Sequence, residues 1–133
     1  MSGYRVLVVD DSSTMRQLIS FALRRVPGLS GWDEAADGIE ALEKMESTPY
    51  ALVIADINMP RMSGLQLLDK IRADDRFCAT PVVMVTTEGG EEEHKEGFKR
   101  GAAAYLPKPV RAPQVVTVVS DLLSRKAQPP EHD

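Results

Sequence analysis

Three short runs of consecutive apolar residues constrain the fold of this chain more than any other feature. Residues 6–9, 51–55 and 82–85 are aliphatic throughout, apart from one methionine, and none of the runs alternates polar with apolar side chains. A strand with one face in water would alternate in this way. Both faces of these strands are therefore predicted to be covered, as in a parallel sheet between helices.

Segments with helical periodicity separate these strands. After the first run, apolar residues recur at steps of three and four, and polar residues that include Arg16 and Ser20 occupy the other face. Asp37 is predicted to open a second helix, and residues 65–71 mark a third. A fifth helix is predicted to begin at Ala112, with a proline in its first turn.

The remaining segments carry weaker signals. Less apolar strands are predicted at residues 31–35 and 103–106, and Pro107 is expected to place the latter at a sheet edge, because proline cannot donate to a ladder. A fourth helix is predicted after residue 90 and is expected to be marginal, because glycines surround its few apolar anchors. These glycines are Gly89, Gly90, Gly97 and Gly101.

Five strands that alternate with five helices predict one doubly wound α/β domain with right-handed crossovers. This domain is expected to cover residues 1–127, without an internal repeat or a linker. Residues 128–133 contain two prolines and three ionisable side chains and are predicted to form a disordered tail.

The composition argues against several classes of protein. Among 133 residues, 16 basic and 20 acidic side chains leave a net charge of −4, which disfavours a nucleic-acid backbone as the partner. The longest apolar run is far shorter than the roughly 20 residues of a membrane helix, and the N-terminus does not resemble a signal peptide. A single cysteine, Cys78, and two histidines far apart in the sequence suggest neither a disulfide nor a zinc site. A cytoplasmic location is expected.

Ionic side chains follow the predicted strands at their carboxyl ends. Asp10 and Asp11 follow the first strand, Asp56 the third, Thr86 the fourth and Lys108 the fifth. In an open parallel sheet these ends meet at one rim, where ligands bind. Each residue alone is better explained as a turn former, a cap, a strand end or a surface lysine. Together, these separate explanations would have to gather every ionic group at one rim by accident.

Three clustered carboxylates repel one another, since a pair about 4 Å apart near a surface costs about 4 kcal/mol. A cation or protons must neutralise them, and Mg²⁺ is the cation that an all-oxygen site of this kind favours. A phosphate at Asp56 would then lie between Mg²⁺ on one side and Lys108 and Thr86 on the other. Attack by Asp56 on phosphorus would give an aspartyl-phosphate.

Five blocks carry a family pattern: VVDDS at 8–12, AADGIEAL at 35–42, DINMPRMSG at 56–64, MVT at 84–86 and GAAAYLPKP at 101–109. Their order and spacing resemble the receiver domain of two-component response regulators, and within that family the stand-alone, CheY-like regulators of chemotaxis. The resemblance extends over residues 4–125. It implies a flavodoxin-like fold with the strand order 2-1-3-4-5.

The resemblance also implies roles for the rim residues. Asp56 would be the phosphoacceptor, and Asp10 and Asp11 would bind Mg²⁺ with it, joined by the backbone carbonyl of Asn58. Lys108 would pair with the phosphoryl group, and the Lys108–Pro109 bond would be cis.

A switch is implied as well. Thr86 would hydrogen-bond the phosphoryl group, and Tyr105 would rotate inward as Thr86 moves. The face formed by helix 4, strand 5 and helix 5 would then bind a different protein partner. The implied phosphodonor is a sensor histidine kinase, a phosphotransfer protein or a small molecule. A monomer or weak dimer is expected, without nucleic acid or membrane insertion.

The chain departs from the family pattern at several positions. Ser63 replaces the usual aspartate before a glycine, and Thr87 stands where many relatives have alanine, which bears on the access of water. Asn58 and Glu88 resemble the pairing in chemotaxis regulators and suggest a short-lived phosphoryl group. The other departures are Gly89, Gly90, Pro107 and Val110.

Three functions compete with a phosphorylation-operated switch. A Mg²⁺-dependent aspartyl phosphatase typically needs a second aspartate as general acid where this chain has Asn58. A flavin or nucleotide binder presents hydroxyls and backbone N–H groups to a phosphate, which Asp10 and Asp11 would repel. A phosphorylation-independent scaffold has no need of the full ionic set. Chemotaxis or motility is one candidate pathway, beside phosphorelays, type IV pilus systems and stress signalling.

Overall fold

The computed structural model describes residues 3–87 and 91–127, so the predicted tail at 128–133 lies outside the described residues. Strands and helices alternate along the chain. The strands are β1 (Tyr4–Val9), β2 (Leu29–Ala35), β3 (Leu52–Asp56), β4 (Val82–Thr87) and β5 (Ala104–Lys108). The helices are α1 (Ser13–Leu23), α2 (Gly38–Ser47), α3 (Gly64–Ala73), α4 (Glu91–Arg100) and α5 (Ala112–Ala127).

The five strands form one parallel sheet in the order β2-β1-β3-β4-β5. This order confirms both the doubly wound fold that the sequence predicts and the flavodoxin-like strand order that the resemblance implies. Strand β5 lies at an edge, as expected from Pro107, which pairs with Thr86 of β4. Strand β1 pairs with β2 on one side and with β3 on the other, and all three are parallel. The carboxyl ends of β1 and β3 therefore lie side by side.

Both faces of the sheet are covered, which explains the unbroken apolar runs. In β1, Val6 and Val8 pack in the core beneath α1 and α5, whereas Leu7 and Val9 pack in the core beneath α2 and α3. All four side chains are buried. Burial of such a side chain contributes about 1.5–3 kcal/mol, so a polar substitution at any of them would be costly.

Four strands are longer than the sequence predicts, since β1 and β4 each gain two residues and β2 and β5 extend as well. Strand β2 begins at Leu29, two residues before the predicted start, because it already pairs with Tyr4 there. Strand β5 continues beyond residue 106 to Lys108, which pairs with Thr87. The prediction that Asp56, Thr86 and Lys108 follow their strands is therefore wrong, because each lies within its strand at the carboxyl end.

The helix starts are capped by short polar side chains. Ser12 accepts a hydrogen bond from the N–H of Met15, and Asp37 caps α2 as predicted. At α3, the Ser63 hydroxyl accepts from the N–H of Gln66, whose side chain accepts in return from the N–H of Ser63. The serine that departs from the family pattern therefore forms a capping box, a device that fixes the helix start.

Helix α4 packs beside α3 and over β4. Its C-terminal end is tied to α3, because Arg72 donates to the carbonyl of Gly101 at 2.7 Å and Arg100 pairs with Asp69 at 3.3 Å. Among the α4 side chains that the structure describes, no apolar one is buried, and Phe98 is 54% exposed. Within the described ranges, no helix combines the length and apolar character needed to cross a membrane.

Candidate functional site

Three carboxylates meet at the carboxyl edge of the sheet. Asp56 ends β3, and Asp10 and Asp11 directly follow β1, its neighbour. One oxygen of each carboxylate lies within 4.8 Å of the others. Asp10 and Asp56 are only 1% and 3% exposed, whereas Asp11 is exposed. The structure thus brings together the three acidic residues that the strand ends predicted.

Asp10 is the most constrained member of this cluster. Its N–H donates to the carbonyl of Ala35 at 3.0 Å, and its Oδ1 accepts from the N–H of Ser12 at 2.8 Å. Its Oδ2 is buried and has no hydrogen-bond partner among the described residues. Burial raises the pKa of Asp10 above its ordinary value, and the neighbouring carboxylates of Asp56 and Asp11 add to this effect.

These properties fit a hard divalent cation. The available ligand atoms are all carboxylate oxygens, which are the ligands that Mg²⁺ prefers. The buried, unpartnered Oδ2 of Asp10 needs a partner, and a cation would provide one. Positive charge there would also relieve the repulsion that disfavours the ionised form of Asp10.

Asp56 has a different partner at each carboxylate oxygen. Its Oδ1 accepts from the N–H of Asn58 at 3.1 Å, and its Oδ2 accepts from Nζ of Lys108 at 3.0 Å. Lys108 lies two strands away, so its side chain reaches across the end of β4. The Lys108–Pro109 peptide bond is cis, as the resemblance implies. The Asn58 side chain itself is exposed.

Thr86 lies between these two groups. Strand β4 runs between β3 and β5, and Thr86 is its next-to-last residue, with no exposed surface. The Thr86 hydroxyl lies 3.5 Å from the carbonyl of Thr87, which is a long hydrogen bond. Thr86 thus lies near the carboxyl end of the strand between those that end in Asp56 and Lys108.

Tyr105 occupies the β5 side of the sheet, half-buried against α4. Its ring packs edge-on against Phe98, with 4.8 Å between centroids and 72° between planes. A Cβ atom at position 97 would overlap the Tyr105 hydroxyl, so only glycine leaves room for the ring in this position. The sequence gives no signal of this contact, because Gly97 looks like any other helix-weakening glycine.

The first residue of α3, Gly64, lies against the backbone of Asp56. A Cβ atom at Gly64 would collide with the backbone carbonyl of Asp56 and would lie 2.7 Å from Cε of Met84. The N–H of Gly64 donates to the carbonyl of Ile57 at 2.7 Å. Helix α3 therefore begins in direct contact with the backbone of the strand that ends in Asp56.

Sequence reasoning missed a polar network behind Asp10. Arg16 and Ser20 were expected on the polar outer face of α1, but Ser20 is buried and the Arg16 side chain is only 18% exposed. Both contact Glu34 of β2, and Arg16 also donates to the carbonyl of Asp10. Glu34 is the signal that was missed. A polar side chain in β2, the strand next to α1, can pair with polar residues on the buried side of that helix.

The other departures from the family pattern lie around this site. Thr87 is exposed at the end of β4, whereas Val110 is buried in the core beneath α1 and α5. Pro107 is part of the edge strand. Glu88, Gly89 and Gly90 lie outside the described residues.

The family model that matches this chain is the response regulator receiver domain, over residues 6–120. The chain is 47% identical to the chemotaxis protein CheY1 of Helicobacter pylori strain J99 over 113 residues, which are 84% of this chain and 90% of that protein. It is 42% identical to a chemotaxis protein CheY homolog of Campylobacter jejuni, over 84% of this chain and 85% of that protein.

Solved structures give the same result. The chemotaxis response regulator CheY4 of Vibrio cholerae has a TM-score of 0.82 at 34% identity, covering 91% of this chain and 99% of its own. The receiver domain of the Francisella response regulator 1452 has a TM-score of 0.82 at 30% identity, covering 92% and 98%. The agreement extends over nearly the whole of each chain.

Proposed function

Because the chain belongs to the family of response regulator receiver domains, and within it is CheY-like, we propose that it is a switch operated by phosphorylation of Asp56. Receiver domains generally bind Mg²⁺ in an acidic pocket, and they are signalling domains that are generally not enzymes. The proposal assigns Mg²⁺ to Asp10, Asp11, Asp56 and the backbone carbonyl of Asn58.

The observation that carries this proposal is that the buried Asp56 carboxylate is paired with Lys108 and also lies within a cluster of three carboxylates. Lys108 lies 3.0 Å from Oδ2 of Asp56, and the carboxylates of Asp10 and Asp11 lie on the side where a cation fits. Bound Mg²⁺ would neutralise the charge on an incoming phosphoryl group. An anion of this charge could not otherwise approach three carboxylates.

The chemistry follows from these positions. An oxygen of Asp56 attacks phosphorus, the new O–P bond forms, and the bond from phosphorus to the donor breaks with its electron pair leaving on the donor. With a phosphohistidine donor, the leaving nitrogen takes up a proton as neutral imidazole. Lys108 transfers its hydrogen bond from Asp56 to a phosphoryl oxygen, so the ammonium remains paired throughout.

The proposed output is a change at the face formed by α4, β5 and α5. A phosphoryl oxygen would accept a hydrogen bond from the Thr86 hydroxyl and draw Thr86 towards the rim. Tyr105 would then turn inward, away from Phe98 and Gly97, and this movement would alter the surface that a protein partner contacts. The half-buried position of the Tyr105 ring supports this role, because a change in its orientation would alter the exposed surface beside α4.

The proposed phosphodonor is a sensor histidine kinase or a phosphotransfer protein, and the proposed target is a protein of chemotaxis or motility. Support for the pathway comes from the relatives, several of which are named as chemotaxis proteins. The exposed Asn58 side chain, two residues beyond Asp56, is in position to influence how long the phosphoryl group survives.

A direct test uses acetyl phosphate or beryllofluoride with Mg²⁺. We expect the mass increase of one phosphoryl group on Asp56, and amide chemical-shift changes at Thr86 and Tyr105. Asp56→Asn should abolish both responses, whereas Asp75→Asn, at an exposed residue beyond the end of α3, should leave them intact. An unmodified Asp56, or the same shifts in Asp56→Asn, would contradict the proposal. Turnover of added phosphomonoesters would favour a phosphatase instead.

A further inference from the structure

We propose that Arg16 is a positioning residue, which aims the Asp10 carboxylate at the cation site through a network with Glu34 and Ser20. This inference rests on the proposed Mg²⁺ site and extends it to residues that bind no ligand themselves. It assigns a function to the edge strand β2, which contributes no residue to the rim.

The argument starts from the hydrogen-bonding groups of Asp10. Its N–H donates to the carbonyl of Ala35, its Oδ1 accepts from the N–H of Ser12, and its backbone carbonyl accepts from Nη1 of Arg16 at 2.7 Å. Three of the four groups are therefore held by the protein. The fourth, Oδ2, is buried without a partner among the described residues and belongs to the carboxylate cluster.

Arg16 is itself held by Glu34, which in turn is held by Ser20. Its Nε donates to Oε1 of Glu34 at 2.9 Å, and the hydroxyl of Ser20 donates to the other oxygen of Glu34 at 3.2 Å. The planar guanidinium thus contacts a carbonyl on one side and a carboxylate on the other, a geometry that an ammonium cannot reproduce. Glu34 precedes Ala35 in β2, so the same strand end holds both backbone groups of Asp10.

The consequence concerns metal affinity. Groups that orient a metal ligand typically change affinity about 10- to 100-fold when they are removed. Arg16 donates to the backbone carbonyl of Asp10, so it is expected to act by fixing the direction of the Asp10 side chain.

The test compares Arg16→Lys with Arg5→Lys, a matched control. Arg5 also joins β1 to β2 through a bidentate contact, to Asp33, but at the opposite end of the strand pair. Titration calorimetry with Mg²⁺ should give about tenfold weaker binding for Arg16→Lys and unchanged binding for Arg5→Lys. The amide shift of Ser12 in the metal-free protein should move in the first variant only.

Glu34→Gln provides a second route if Arg16→Lys folds poorly, and it should weaken Mg²⁺ binding in the same direction by a smaller factor. Equal Mg²⁺ affinity in wild type, Arg16→Lys and Glu34→Gln would overturn this inference alone, as would an equal loss in Arg5→Lys. Absence of Mg²⁺ binding by the wild-type protein would overturn the proposed function, and this inference with it.

Discussion

Among single residues, Asp10 shows most clearly how the fold accepts an unfavourable charge. Its carboxylate is buried beside two others, and burial raises its pKa above the ordinary range. An ionised group in this position destabilises the folded protein unless a cation is bound. The sequence predicts the clustering, because Asp10 and Asp56 lie at the carboxyl ends of neighbouring parallel strands. It does not predict the contact with Arg16, since helical periodicity cannot identify the partner of a polar residue.

We expect Asp10→Asn to stabilise the metal-free protein. The substitution removes one of three like charges, and the gain should be about 1–2 kcal/mol, below the roughly 4 kcal/mol of a close unscreened pair. Chemical denaturation in a chelator measures this gain. Added Mg²⁺ should raise the stability of the wild type but not of Asp10→Asn. A less stable Asp10→Asn protein in chelator would show that the carboxylates do not repel in this way.

Among the structural elements, β2 and α4 carry the weakest sequence signals, because β2 is largely polar and α4 contains a glycine and few apolar residues. Strand β2 was predicted two residues too short, since its polar residues hide the strand pattern and its edge position leaves it half-buried. Strands β1, β3 and β4 were easier to identify because both of their faces are buried. Helix α4 was predicted as marginal from its glycines, and the structure adds that one of them accommodates Tyr105.

The β2 edge should lose stability in acid through Asp33. Its carboxylate accepts two hydrogen bonds from Arg5 and one from the Tyr50 hydroxyl at 2.6 Å, and the Arg5 contact is the main cause that lowers the pKa of Asp33 to about 2. The pKa is depressed, so this stabilisation is complete above the ordinary value of 3.8 and disappears as the pH falls towards 2. We expect a loss of about 1 kcal/mol, because Asp33 remains 28% exposed and solvent screens the pair.

Urea unfolding at about pH 6 and about pH 3 measures this effect. The control is Asp33→Asn, which should be less stable at the higher pH and should lose less stability between the two. An identical pH dependence in both proteins would contradict the assignment to Asp33.

Gly97→Ala should test the contact between α4 and Tyr105. Alanine in a helix is normally favoured over glycine by about 1 kcal/mol, but here the added Cβ would overlap the Tyr105 hydroxyl. We expect no gain, or a net loss, in the wild-type background and a gain in Tyr105→Ala. A double-mutant cycle should give a coupling of about 1 kcal/mol or more, and a coupling near zero would show that the ring does not occupy this position.

For the whole molecule, stability should be distributed unevenly around the sheet. The central strands β1, β3 and β4 are buried on both faces, whereas no described apolar side chain of α4 is buried. The ties from Arg72 to Gly101 and from Arg100 to Asp69 hold only the C-terminal end of α4. Helix α4, whose described side chains bury no apolar group, is therefore part of the face proposed to change shape.

Hydrogen exchange measured by mass spectrometry should reveal this order. We expect the slowest exchange in β1, β3 and β4, and faster exchange in α4 than in the other four helices, with a gradient from its C-terminal to its N-terminal end. Arg72→Lys should abolish the gradient by releasing the C-terminal end. Protection of α4 equal to that of α3 would contradict this picture.

The contact of Gly64 with the Asp56 backbone has a consequence for anyone who would transplant this site. Gly64 has no side chain, so the backbone of the first turn of α3 packs directly against the backbone at the end of β3. A graft that carried only the acidic side chains into another α/β scaffold would misplace Asp56 wherever the following helix begins with a bulkier residue. A graft would therefore need the whole loop from Asp56 to Gly64, including the glycine.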